Sequence, residues 1–204
     1  MANEEERMLI DQARNGDRHA FETIVYAYER PLYNYALRML GNPEDASDAV
    51  QETFLKAYLG LSAFRGESRL STWLFRILNN ACVDQLRARR ETVSLTAAAE
   101  DGEPVDMDLP DERFNPARLV QQKELRENVR AAVDRLPEDF RAPLLLREFG
   151  GQSYAEIAET MALDPGTVKT RIHRARKKLC ALLAGYGNFS GTVPSKTTEG
   201  GERA

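Results

Sequence analysis

An all-α fold of two small helical domains joined by a flexible acidic linker is what this chain predicts, on three observations. Apolar residues recur three or four apart through nearly every segment, and no run alternates apolar with polar residues as a half-buried strand would. Capping residues followed by proline or carboxylates mark helix starts again and again. Between them, the stretch 91–118 breaks the pattern with eight acidic residues, only two arginines and three prolines.

The first helix is expected from Glu5 to Asn15. Asp17 can cap a second through about Glu29, and a third should run from Pro31 to Leu40, where Gly41 ends it. Asn42, Pro43, Glu44 and Asp45 place a cap, a first-turn proline and two carboxylates where the helix dipole favours them, so a fourth helix runs to about Tyr58. Residues 60–68 read as a loop. The next helix, Leu70 to Arg90, sets Leu70, Trp73, Leu74, Ile77, Leu78 and Ala81 on a buried face, with Trp73 in the apolar stripe rather than stacked on a ligand. Arg76, Asn80, Asp84, Arg87 and Arg90 form its outward strip, extended by Arg89 and by Arg65 and Arg69 of the preceding loop.

Residues 91–116 carry too much like charge and too few apolar side chains for a core, so they read as the linker. Helical pattern returns over 117–135 and again over 137–148, where Pro143 predicts a local kink. Ser153 with Glu156 three residues later is a capping box, and Asp164 and Pro165 suit the N-cap and first turn of a final helix to Leu183. The domains are thus 1–90 and 117–184, with a disordered tail over 185–204.

That final helix is the chemically distinctive segment. No acidic residue occurs from Pro165 to Thr198, and Val168, Ile172, Ala175, Leu179 and Leu182 give it one apolar edge. Its other faces hold Thr167, Lys169, Thr170, Arg171, His173, Arg174 and Lys177, able to bond base edges in a major groove and to neutralise phosphates. A short capped helix, a tight turn and a basic helix together read as helix-turn-helix. A merely solvated basic helix is the bland alternative.

Composition narrows the classes. With 28 Lys+Arg against 32 Asp+Glu, nucleic-acid binding must depend on segregated charge rather than bulk attraction. The acidic N-terminus and the absence of a long apolar run imply a cytoplasmic protein without membrane insertion. Cys82 and Cys180 have no partner at metal-ligand spacing and read as small buried residues. No nucleophile with its base, phosphate-cradling loop or carboxylate pair suggests an enzyme, a metal or a cofactor.

Five motifs follow one another: AFETIVYAYERPLYNYA, PEDASDAVQETFLKAY, FRGESRLSTWLFRILNNACVDQLRARR, LPEDFRAPLLLREFGGQSYAEIAETM and PGTVKTRIHRARKKL. In this order, from His19 to Leu183, the chain resembles an extracytoplasmic-function (ECF) sigma factor of the sigma-70 family, the compact group that keeps only regions 2 and 4. The resemblance implies a region 2 helical bundle and a region 4 helix-turn-helix. It implies a subunit that binds RNA polymerase core and directs promoter recognition, −10 melting and initiation. Asp45, Asp48, Gln51, Glu52 and Phe54 would bind the polymerase. Phe64, Arg65, Arg69, Arg76, Asn80, Arg87, Arg89 and Arg90 would meet the −10 element, with Asn80 on a base edge. Thr167, Lys169, Thr170, Arg171, His173, Arg174 and Lys177 would meet the −35 element. It further implies an anti-sigma partner, often membrane-anchored, and a linker threading toward the polymerase cleft. A conventional dimeric helix-turn-helix regulator is the alternative, although no dimer heptad or effector domain is evident.

Overall fold

The computed structural model describes residues 2–93 and 116–185, with side chains over 4–89 and 125–185. The described residues are helical with no strand: α1 (Ala2–Arg14), α2 (Arg18–Leu40), α3 (Pro43–Gly60), a 3-10 turn (Leu61–Ala63), α4 (Leu70–Val93), α5 (Pro116–Asp134), α6 (Glu138–Glu148), α7 (Tyr154–Met161) and α8 (Pro165–Ala184). Most of the acidic linker and the tail beyond residue 185 lie outside the described residues.

The first four helices form one bundle. α2 packs on α1, α3 and α4, and α3 packs on α4. Asp17 caps α2 through the amides of His19 and Ala20, and Asn42 caps α3 through those of Glu44 and Asp45. Gly41 ends α2 at φ +76°, a left-handed conformation that glycine adopts without the Cβ penalty.

Two helices were expected where α2 runs unbroken through Pro31. A proline in a helix interior forfeits one hydrogen bond and crowds the preceding turn. Here Ile24, Leu32, Tyr35, Ala36 and Met39 keep the helix pressed on its neighbours on both sides of the proline. Packing therefore outweighs the local break.

The last four helices form the second bundle. α8 packs on α5, α6 and α7, and α6 on α7. Pro143 sits buried inside α6. The capping box of α7 forms: Ser153 Oγ accepts from the Glu156 amide at 3.3 Å, and Glu156 Oε2 accepts from the Ser153 amide at 2.7 Å. Arg147 ties α6 to this start by donating to the Gln152 carbonyl at 2.6 Å. The turn into α8 places Ala162 in the left-handed region at φ 52°, and the Leu163 amide closes back on the Ala158 carbonyl at 2.9 Å. Val168, Ile172 and Ala175 are buried as their spacing predicts, with Leu179 and Leu182 partly so.

One hydrophobic cluster runs through both bundles, joining Leu32, Tyr35 and Phe75 to Leu146, Ile157 and Ile172. Contacts between the halves run from α4 to α7 and from α2 to α5 and α6. α4 also buries positions outside its predicted stripe. Leu70, Leu74, Leu78 and Ala81 are buried as expected, but so are Phe75, Asn79 and Cys82 on adjacent positions. Cys82 is thus a core residue, whereas Cys180 is exposed, against the expectation for it.

Candidate nucleic-acid and polymerase interfaces

Three surfaces gather the residues singled out in the sequence. On α8, Thr167, Lys169, Thr170, His173, Arg174 and Lys177 are all exposed, opposite the buried edge. Asp164 fastens the start of this helix, accepting from the amides of Gly166 at 2.7 Å and Thr167 at 3.2 Å. A Cβ on Gly166 would come within 2.8 Å of Asp164 Oδ2, so glycine leaves room for the cap. Arg171 is the exception among the group. It is half-buried and paired with Asp139 of α6 at 3.2 Å, which orients it across the cleft between the two helices. Thr170 donates its hydroxyl to the Gly166 carbonyl at 2.9 Å and keeps its methyl and lone pairs outward.

The second surface is the loop after the 3-10 turn with the outward strip of α4. Arg65, Arg69, Asn80 and Arg87 are exposed and Arg76 is half-exposed. The side chain of Arg90 lies outside the described residues. Phe64 departs from its expected place: it is 6% exposed, its ring 4.9 Å from that of Trp73, with the Arg14 guanidinium 6.0 Å above it. An aromatic ring so covered anchors the loop. Trp73 is partly buried against the core and also lines the cleft beside Arg65, Ser68 and Arg76.

Two residues assigned to different partners meet each other. Arg89 pairs with Asp45 and donates to the Leu40 carbonyl at 3.0 Å, binding the start of α3 to the end of α4. Arg87 pairs more loosely with Asp84 at 3.9 Å. Asn79 was overlooked by the spacing argument. It is buried and accepts from the Tyr35 hydroxyl at 2.7 Å, while its neighbour Asn80 faces out.

The third surface is on α3. Asp48, Gln51 and Glu52 are exposed on one stripe, with Glu52 bonded to Lys56 at 2.7 Å. Phe54 turns inward and packs partly against the core. The same stripe continues into Leu55, 60% exposed, and Leu59, 71% exposed, with Tyr58 half-exposed beside them. Large apolar side chains left bare beside charge are the composition of a partner surface. Leu59 and Tyr58 read equally well as core from sequence.

The Glu156 carboxyl at the start of α7 has a displaced pKa. Its partial burial would raise it, but the Ser153 amide and hydroxyl, with Arg69 and Arg147 nearby, hold it below the ordinary 4.5. Among the described residues no cluster of His, Cys, Asp and Glu has metal-ligand geometry, and no helix is long and apolar enough to cross a membrane.

The arrangement sets a basic face on α8, an arginine-bearing loop and strip at α4, and a stripe of charge beside bare apolar side chains on α3. The sigma-70 region 2 profile matches residues 24–92 and the sigma-70 region 4 profile matches residues 126–179. The RNA polymerase sigma-H factor of Pseudomonas aeruginosa is 37% identical over 186 residues, covering 90% of this chain and 96% of that relative. The ECF RNA polymerase sigma factor SigW of Bacillus subtilis is 34% identical over 172 residues, covering 83% and 92%. The sigma factor RpoE of Bartonella quintana, solved with the anti-sigma factor NepR, superposes with a TM-score of 0.67 at 26% identity over 80% of this chain and 96% of that one. By these matches, which take in both halves and nearly the full length of its relatives, the chain belongs to the extracytoplasmic-function group of the sigma-70 family of RNA polymerase sigma factors.

Proposed function

We propose that this sigma factor divides its work between its halves, with α8 reading the −35 element, the 64–69 loop and α4 engaging the −10 element, and α3 docking the polymerase core. The observation that supports this best is the segregation of charge on α8. In a chain with more acidic than basic residues, its exposed faces hold Lys169, Arg174 and Lys177 and no carboxylate. Phosphate neutralisation needs that local excess, and base readout needs mixed donors and acceptors such as Thr167, Thr170 and His173.

On this reading Asn80 meets an unstacked base at the −10 element, with Arg65, Arg69, Arg76 and Arg87 on phosphates. Taking a base from the stack costs a few kcal/mol, which pocket contacts and polymerase must offset. The protein works by binding, in the cytoplasm, without covalent chemistry. Its acidic linker would lie in the polymerase cleft, and replacing Asp106, Asp108 and Asp111 with serine should alter abortive product yield. By analogy with the Bartonella factor solved with NepR, an anti-sigma protein would restrain it.

Run-off transcription from a pooled promoter library with core polymerase, with and without the chain, tests the assignment. New starts sharing paired upstream elements are expected. Inactive core, with the chain alone binding a symmetric operator, would instead establish a dimeric regulator.

A further inference from the structure

The cleft at the 64–69 loop is not closed by its own half alone. Phe64, Arg65, Ser68, Trp73 and Arg76 line it together with Glu159, which comes from α7, and the space enclosed is about 260 Å3. Arg76 Nη1 lies 3.8 Å from Glu159 Oε1, and Arg69 Nε lies 3.3 Å from Glu156 Oε1. Both arginines belong to the strip assigned to the −10 strand. To each of them a carboxylate offers the kind of anionic oxygen a phosphate would.

Exposed ion pairs shift an equilibrium only a few-fold each. The seam has an apolar part as well. Phe75 of α4 is 1% exposed, and its Cε2 lies 3.4 Å from where a Gly150 Cβ would stand. Nearby, the Arg38 guanidinium of α2 lies 5.8 Å above the Phe149 ring. Apolar burial favours the closed packing without regard to orientation, and the two ion pairs choose which face of α7 lies on α4.

Size makes this packing incompatible with promoter binding. Elements centred about 25 base pairs apart lie roughly 85 Å apart along B-DNA. A globule of this chain length has a radius of gyration of about 17 Å. The closed chain cannot reach both elements, and in it two arginines of the strip that would take the −10 strand are paired with carboxylates of α7.

We propose that Glu156 and Glu159 form an intramolecular latch, holding the free chain closed by occupying Arg69 and Arg76 in place of −10 strand phosphates. The proposal rests on the −10 reading of the loop and α4. Glu156 divides its oxygens, Oε2 on the Ser153 amide and Oε1 on Arg69, so opening the latch spares the α7 cap. Polymerase that draws the halves apart, or a −10 strand that displaces the carboxylates, would release it.

The test is Glu156→Gln with Glu159→Gln in the full chain, since glutamine also serves a capping box. Nitroxides at Ser62→Cys and Ala181→Cys, in a Cys180→Ala background, report the distance between halves. A labelled single strand carrying the −10 non-template sequence reports binding. A longer, broader distance distribution and about three- to tenfold tighter strand binding are expected for the double variant. An unchanged distance distribution overturns the latch. So does a double variant that binds the strand no better than the wild type while the polymerase holoenzyme captures it. If neither the chain nor the holoenzyme binds the strand, the −10 reading fails and takes the inhibitory role with it.

Discussion

The phenol of Tyr35 on α2 donates a 2.7 Å hydrogen bond to Asn79 Oδ1 on α4, inside the core. Burial keeps this phenol protonated well above its ordinary range, so the donor persists at any working pH. The Tyr35 ring also meets Phe75 edge-to-face at 5.6 Å. Adjacent asparagines therefore have opposite tasks.

Tyr35→Phe should cost about 1–3 kcal/mol by leaving the Asn79 oxygen buried without a donor. Asn80→Ala, on the exposed side, should leave stability within about 0.5 kcal/mol while lowering promoter opening. Urea unfolding and run-off transcription on both variants separate the two. Equal loss of stability in both would show that Asn80 is structural.

Leu55→Glu and Leu59→Glu should weaken capture of core polymerase by tenfold or more, about 1.4 kcal/mol, without lowering the unfolding midpoint. The side chains are already exposed, so the folded chain loses no core contact. Competition for core against a labelled wild-type chain measures the effect.

Lys169→Ala and Arg174→Ala should each lower the salt slope of −35 duplex binding by about 1. Arg171 should behave differently, because Asp139 already holds it in place. Asp139→Asn should blur sequence preference more than it reduces total affinity. Anisotropy titrations across a salt series resolve slope from specificity.

Glu156 makes the stability of α7 depend on pH in one direction. Its folded pKa is below the ordinary 4.5, so its stabilising contribution is complete above that value and lost as pH falls through the depressed one. Between pH 7 and 5 this group should therefore contribute no slope. Below pH 4.5 the wild type should lose stability faster than Glu156→Gln, and parallel curves in that window would rule out the assignment.

Two thiols should differ sharply toward a disulfide reagent at pH 8. Burial pushes Cys82 up to about 12, while Cys180 is exposed on α8. One thiol should react in the native protein and two in denaturant, and Cys180→Ala should abolish the fast phase.

Much of the fold is legible in the sequence because its signals are local. The Ser153–Glu156 box, the Asp17, Asn42 and Asp164 caps and the apolar edge of α8 each depend on residues within two turns, and the structure forms all of them. Pro31 shows where local reading fails. Its cost is local, but the burial that overrides it comes from α1, α3 and α4. The exposed positions of the α8 surface follow from its periodicity, whereas Phe64 could not be placed, because a loop aromatic has no periodicity to show which way it turns.

By itself the sequence determined what matters least to geometry and most to kind: helices with their caps, a basic reader at the end, an acidic break between halves, and an ordered series of sigma-70 motifs. Tertiary structure decided which of two asparagines is buried, that Asp45 holds Arg89, and that Phe75 seals one half against the other. It also decided that Glu156 and Glu159 lie on Arg69 and Arg76. The reason is one of range. Caps and helical faces are set by neighbours three or four residues away, while an ion pair between residues more than 80 positions apart exists only once two separately formed surfaces have been brought together.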